Sequence, residues 1–148
     1  MKKFKFSMQK ALEYKGHIED CEKTVLAQLR AQHEELCGQI SKIQRQYKNT
    51  NKEFVQMCCK GTVVQQLTMI RSYLDMLSHR MEQMSFQIEK GEQEINKQIN
   101  KLNIISKEKK SMGKLKERYH MEYQDKQKKE VEILIDDFVA NTTHIKIL

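Results

Sequence analysis

The chain has 148 residues, 27 basic and 20 acidic side chains, a net charge of +7, no proline, no tryptophan and five glycines. That length fits one domain at most, and a chain so polar cannot surround a large globular core. No apolar run approaches the roughly 20 residues of a membrane-spanning helix, and the lysine-bearing start has no apolar signal-peptide stretch; a cytosolic location is expected.

Without proline, and with abundant Lys, Glu, Gln and Met, very long helices are tolerated. The first half carries a seam of Tyr14, Ile18, Cys21, Val25, Leu29, His33, Leu36, Ile40, Ile43, Tyr47, Thr50, Phe54 and Met57. The steps are threes and fours, with one extra four around Val25, Leu29 and His33. This is a coiled-coil stripe with a stutter, and it predicts a first helix over about 5–59. Cys58 and Cys59 read as small apolar residues near its end. With Cys21 and Cys37 they lack zinc-site spacing, so no metal is expected.

A turn is expected at about 60–62, where Gly61 stops one helix and Thr62 is placed to cap the next. The second helix is predicted over about 63–140, followed by a short tail. Its heptads are regular: Leu67, Leu74, Met81, Ile88, Ile95 and Leu102 on one position, Ile70, Leu77, Met84, Gly91, Gln98, Ile105 and Met112 on the other.

Reversed, the two seams match step for step. Met57 falls opposite Leu67, Phe54 opposite Ile70, Tyr47 opposite Leu77, Ile40 opposite Met84, Leu36 opposite Ile88 and His33 opposite Gly91. Beyond Leu29 and Ile95 the stutter disturbs the match, and Ile99 is available to take up the slack. The expected fold is all-α: one long two-helix antiparallel coiled-coil hairpin, a rod on the order of 90 Å at 1.5 Å per residue. The first helix runs out opposite residue 123 or so, which leaves the C-terminal end of the second overhanging. That overhang carries EVEILIDDFV, with Val131, Ile133, Leu134, Ile135, Phe138 and Val139 close together. An amphipathic helix end with nothing to bury it against expects another molecule, or folds back or self-associates.

Charge gathers at the same end. Residues 1–15 hold five lysines and one glutamate, and residues 107–130 hold nine basic and five acidic side chains. Acids punctuate this basic run and no nucleic-acid reading motif accompanies it. A protein partner with acidic inner surfaces accounts for charge and apolarity together. A two-helix rod offers no catalytic pocket, MGKLKER is no phosphate loop, and the five histidines are scattered. Neither enzymatic activity nor a cofactor is expected.

Three stretches, FKFSMQKALEYKG, QQLTMIRSYLDMLSHRM and KEKKSMGKLKERYHMEYQDKQKKEVEILIDDFV, together resemble the flagellar export protein FliJ family over nearly the whole chain. Gly113 departs from the strong helix former expected at its position. The resemblance implies a non-enzymatic stalk of the flagellar type III export apparatus, cytosolic and peripheral at the cell membrane. Its implied partners are the hexameric export ATPase, whose pore receives the joined termini, a membrane export gate protein, and export chaperones. Phe4, Phe6, Leu12 and Lys15 match the family's opening. Arg118, Tyr123, Asp136, Asp137 and Phe138 match its closing motif, and with Ile135 these form the expected ATPase-binding end. Tyr73, Leu77, Arg80 and Met84 match the family's gate-binding face, although Leu77 and Met84 are also seam positions. The corresponding stalk of a virulence secretion system, a basic nucleic-acid-binding coiled coil and a homodimeric scaffold are the alternatives.

Overall fold

The computed structural model describes residues 3–145, as two helices and no strand among them: α1, Gln9–Lys60, and α2, Val64–Ile145. The all-α coiled-coil hairpin read from the heptads is the fold observed. The chain divides into two compact units, one made of Cys21–Leu102 and the other of the residues up to Asp20 with those from Asn103 onward.

Within the Cys21–Leu102 unit the turn is three residues long. Gly61 takes φ +77°, the left-handed conformation that only glycine adopts at little cost. The Thr62 hydroxyl donates to the Met57 carbonyl at 3.0 Å, so Thr62 caps the end of α1 rather than the start of α2. The start of α2 is held by backbone alone, with the amides of Gln66 and Leu67 donating to the Val63 carbonyl. The reason for this departure from expectation is positional. The αL glycine swings Thr62 back over the exposed carbonyls of α1, the nearest unsatisfied acceptors.

Leu74 and Leu77 are each 2% exposed, and Leu77 packs with Ile43 and Met84 in a core flanked by Leu36, Ile40, Tyr47 and Met81. Further along, His33 lies against Gly91, with Cδ2 3.4 Å from where a Cβ would stand. Its Nε2 is 3.6 Å from Glu92, and its Nδ1 is 3.9 Å from the Cys37 thiol.

Towards Cys21 the seam differs from expectation. Tyr14, Cys21 and Val25 are exposed, while Leu26, Glu22 and Glu19 are covered. The covered positions Leu12, Lys15, Glu19, Glu22, Leu26, Leu29, His33 and Leu36 step by threes and fours without interruption, so α1 has no stutter. Polar residues occupy seam positions because α2 supplies their partners. Lys101 Nζ donates to the Glu22 carboxylate at 2.8 Å, while the Gln98 amide donates to the Glu22 carbonyl at 3.1 Å and to its carboxylate. Those hydrogen bonds, Lys101 first and Gln98 second, hold the Glu22 carboxyl below its ordinary value near 4.5.

A carboxyl whose folded pKa is depressed contributes stability above its unfolded pKa and loses it as pH falls through the folded one. Thermal unfolding followed by circular dichroism should therefore show a drop in Tm below about pH 4.5 that is smaller in Glu22→Gln. An equal drop in both proteins would show that Glu22 is not the group responsible.

The unit of N-terminal and later α2 residues departs from expectation at its start. α1 begins at Gln9, not near residue 5, after a turn in which the Gln9 amide donates to the Phe6 carbonyl at 3.1 Å. The alternation of Phe4 and Phe6 with Lys3 and Lys5 explains this. In extended chain the two rings share one side and the lysines the other, whereas in a helix the rings would point apart. α2 runs on to Ile145, past the expected end near 140, with the Thr142 hydroxyl donating to the carbonyls of Phe138 and Val139. Residues 146–148 of the expected tail lie outside the described residues.

Candidate partner-binding surface

Among the residues up to Asp20 and from Asn103 on, the two segments of chain are joined by aromatic and ionic contacts. Phe6 is 8% exposed and stacks at a tilt on Tyr119, with centroids 6.1 Å apart. Phe4 meets His120 edge-on at 5.0 Å and Tyr123 at 5.6 Å. Lys15 pairs with Glu108, and Lys109 Nζ donates to buried Glu19 at 2.7 Å. The Lys109 stem passes 3.9 Å from where Gly16 would carry a Cβ. Its hydrogen bond to Glu19, followed by the attraction of that carboxylate's charge, holds the Lys109 ammonium above its ordinary pKa.

Six of the expected ATPase-end residues lie in this unit, at different places along it. Phe4, Phe6 and Tyr123 sit in the aromatic cluster, Leu12 is half-buried on α1, and Lys15 is in its ion pair with Glu108. Arg118 lies on the outside of α2, 3.8 Å from Glu122 and 5.7 Å over the Tyr119 ring.

Past this cluster α2 changes character. The Gln127 amide donates to the Tyr123 hydroxyl at 2.6 Å, and from residue 128 to 142 every residue is exposed. Phe138 is 70% exposed, Leu134 66% and Ile135 56%. Val131, Leu134, Ile135 and Phe138 follow the i, i+3, i+4, i+7 spacing of a single helical stripe. Asp136 and Asp137 lie exposed beside it, so the remaining four expected residues stand on or next to an uncovered apolar face. Single exposed leucines are ordinary, but a contiguous apolar stripe with an acidic border marks a contact surface.

In the Cys21–Leu102 unit the four residues matched to the gate face separate. Leu77 and Met84 are buried in the intrachain seam, which withdraws them from any surface contact. Tyr73 and Arg80 are exposed. With Met69 and Met76, 72% and 52% exposed, they stand at 4, 3 and 4 residue steps along one outer face. Sequence reading passed over both methionines because only the seam was counted, although their spacing from Tyr73 was available as a signal.

No group of three or more His, Cys, Asp or Glu side chains able to hold a metal occurs among the described residues, and no described helix is long and apolar enough to cross a membrane. The four cysteines are free, Cys37 half-buried and Cys21, Cys58 and Cys59 exposed.

Together, fold and surface define a coiled-coil hairpin protein whose second helix carries an uncovered apolar stripe. The family model described as flagellar FliJ protein matches residues 4–145, nearly the whole chain. The chain belongs to that family, and so is a component of the flagellar export apparatus. No curated protein and no solved structure matches the chain.

Proposed function

We propose that this chain is the non-enzymatic central stalk of a cytosolic export machine, peripheral at the cell membrane. It binds the hexameric flagellar export ATPase through its joined termini and the end of α2. It meets the membrane export gate protein through the face carrying Tyr73 and Arg80, and it assists export chaperones. The observation that carries this reading is the exposed stripe of Val131, Leu134, Ile135 and Phe138 on a helix that is otherwise well formed. An ordered apolar face binds without the ordering cost that a disordered tail would incur. Because it would bind assembled ATPase subunits better than free ones, it shifts them toward the hexamer by mass action.

Co-elution with the export ATPase of the same organism, using the full chain and a chain lacking residues 124–148, tests the reading. Binding and stimulated ATP hydrolysis by the full chain alone are expected. Equal binding by both forms would move the contact elsewhere, and binding by neither, with tight and steeply salt-dependent binding to DNA or RNA instead, would replace the stalk with a nucleic-acid-binding coiled coil.

A further inference from the structure

Along the seam of α2, lysines fall on successive heptad positions at Lys109 and Lys116. Lys109 is answered from α1 by Glu19, and Lys15 of α1 is answered from α2 by Glu108. Lys116 is half-buried in the same way, yet among the described residues no carboxylate lies within ion-pair distance of it. Lys116 therefore stands on the seam with its charge unanswered, and an arriving carboxylate would complete a pair there as Glu19 does for Lys109.

Lys116 borders an open notch of about 580 Å³ formed with Phe4, Phe6, Lys5, Lys10 and Glu13. Three cations face one carboxylate there, over a floor of two aromatic rings. The first turn of α1, which contributes Gln9 and Lys10 to the wall, contains no acidic residue, so its partial positive charge adds to the same sign. Two further concavities meet this one at Phe4, one of them also bordered by Lys116 with His120 and Glu117.

We propose that this notch is a carboxylate socket. It receives an acidic side chain from a short loop of the same protein that the end of α2 docks into, with Lys116 as its ion-pair partner and Lys5 and Lys10 at its rim. The proposal rests on the stalk reading and adds the chemistry of recognition to it. Charge complementarity selects an acidic partner, and the aromatic floor suits the carbon stem of Glu or Asp better than a hydrated inorganic anion. A membrane surface is disfavoured because Phe6 is buried against Tyr119 and is not free to enter lipid.

The test measures affinity of the full chain for the export ATPase as salt is raised, in wild type, Lys116→Met, Lys116→Arg and Lys110→Met. Methionine keeps the packed stem and removes only the charge. Lys110 is exposed and outside the notch, so its variant makes the same change in net charge. Lys116→Met should bind about tenfold more weakly and with a shallower salt dependence, Lys116→Arg should stay near wild type, and Lys110→Met should lose less than about twofold. Should Lys116→Met lower Tm, the Lys5→Gln/Lys10→Gln variant repeats the measurement at the rim, where a loss of about threefold is expected.

Equal affinities for Lys116→Met and Lys110→Met, while Ile135→Asp/Phe138→Asp abolishes binding, overturn the socket and leave the stalk reading intact. If the wild-type chain does not bind the ATPase at all, the stalk reading itself falls. Binding of wild type to phosphatidylglycerol vesicles that Lys116→Met alone abolishes, with ATPase affinity unchanged, also overturns the socket, in favour of lipid.

Discussion

Ile135→Asp/Phe138→Asp is expected to abolish binding to the export ATPase, by a hundredfold or more, without moving Tm or helicity. Two anchors from the centre of an apolar stripe each contribute about 2 kcal/mol or more where they are fully desolvated in a complex. Aspartate removes that contribution and also brings a charge that must be desolvated. Within the free chain the cost should be close to zero, since Ile135 is 56% and Phe138 70% exposed and exposed substitutions usually fall within about 0.5 kcal/mol. Circular dichroism alongside a binding titration separates the two effects. Loss of helix in the variant would mean that the stripe packs within the chain, and the docking surface would have to be sought elsewhere.

Leu77→Ala should have the opposite signature. Leu77 is 2% exposed and stands between Ile43 and Met84, so truncating it removes apolar contact and leaves a gap that two paired helices cannot fully close. A loss of about 3 kcal/mol in unfolding free energy is expected by urea titration, within the range for buried leucines. The neighbouring Met76→Ala, at a side chain 52% exposed, should change stability by less than about 0.5 kcal/mol. This pair of variants also sorts the surface expected to face the export gate. If Met76→Ala and Tyr73→Ala weaken a gate interaction at full stability, the outer face is the contact. A Leu77 variant that lost the interaction would have lost it through the fold.

How far the sequence could be read varied along the chain. The heptads of α2 and of α1 beyond Leu29 were legible because apolar residues fill most of both seam positions, and a period of threes and fours then identifies itself. Below Leu29 the same period continues, but Glu22 and Glu19 occupy it. A reading that follows apolarity slides one position to Val25 and Cys21 and records a stutter that the structure does not contain. Glutamate at a seam is recognisable only when Lys101, Gln98 and Lys109 are seen across from it.

The sequence by itself determined that there are two long helices, that Gly61 separates them, that most of the seam pairs in reverse order, and that an apolar stripe follows the last residues α1 can cover. These follow from local rules: no proline, one αL glycine, a repeated spacing and unequal helix lengths. Only the tertiary structure decided that Phe4 and Phe6 lie extended against Tyr119, His120 and Tyr123, that Thr62 caps α1, that Leu77 and Met84 are spent on the core, and that Lys116 is left without a carboxylate. Each of those depends on which group stands opposite across a fold whose two halves are distant in sequence. The free energy of a polar or aromatic side chain is set by that neighbour, whereas an aliphatic one needs only to be out of water.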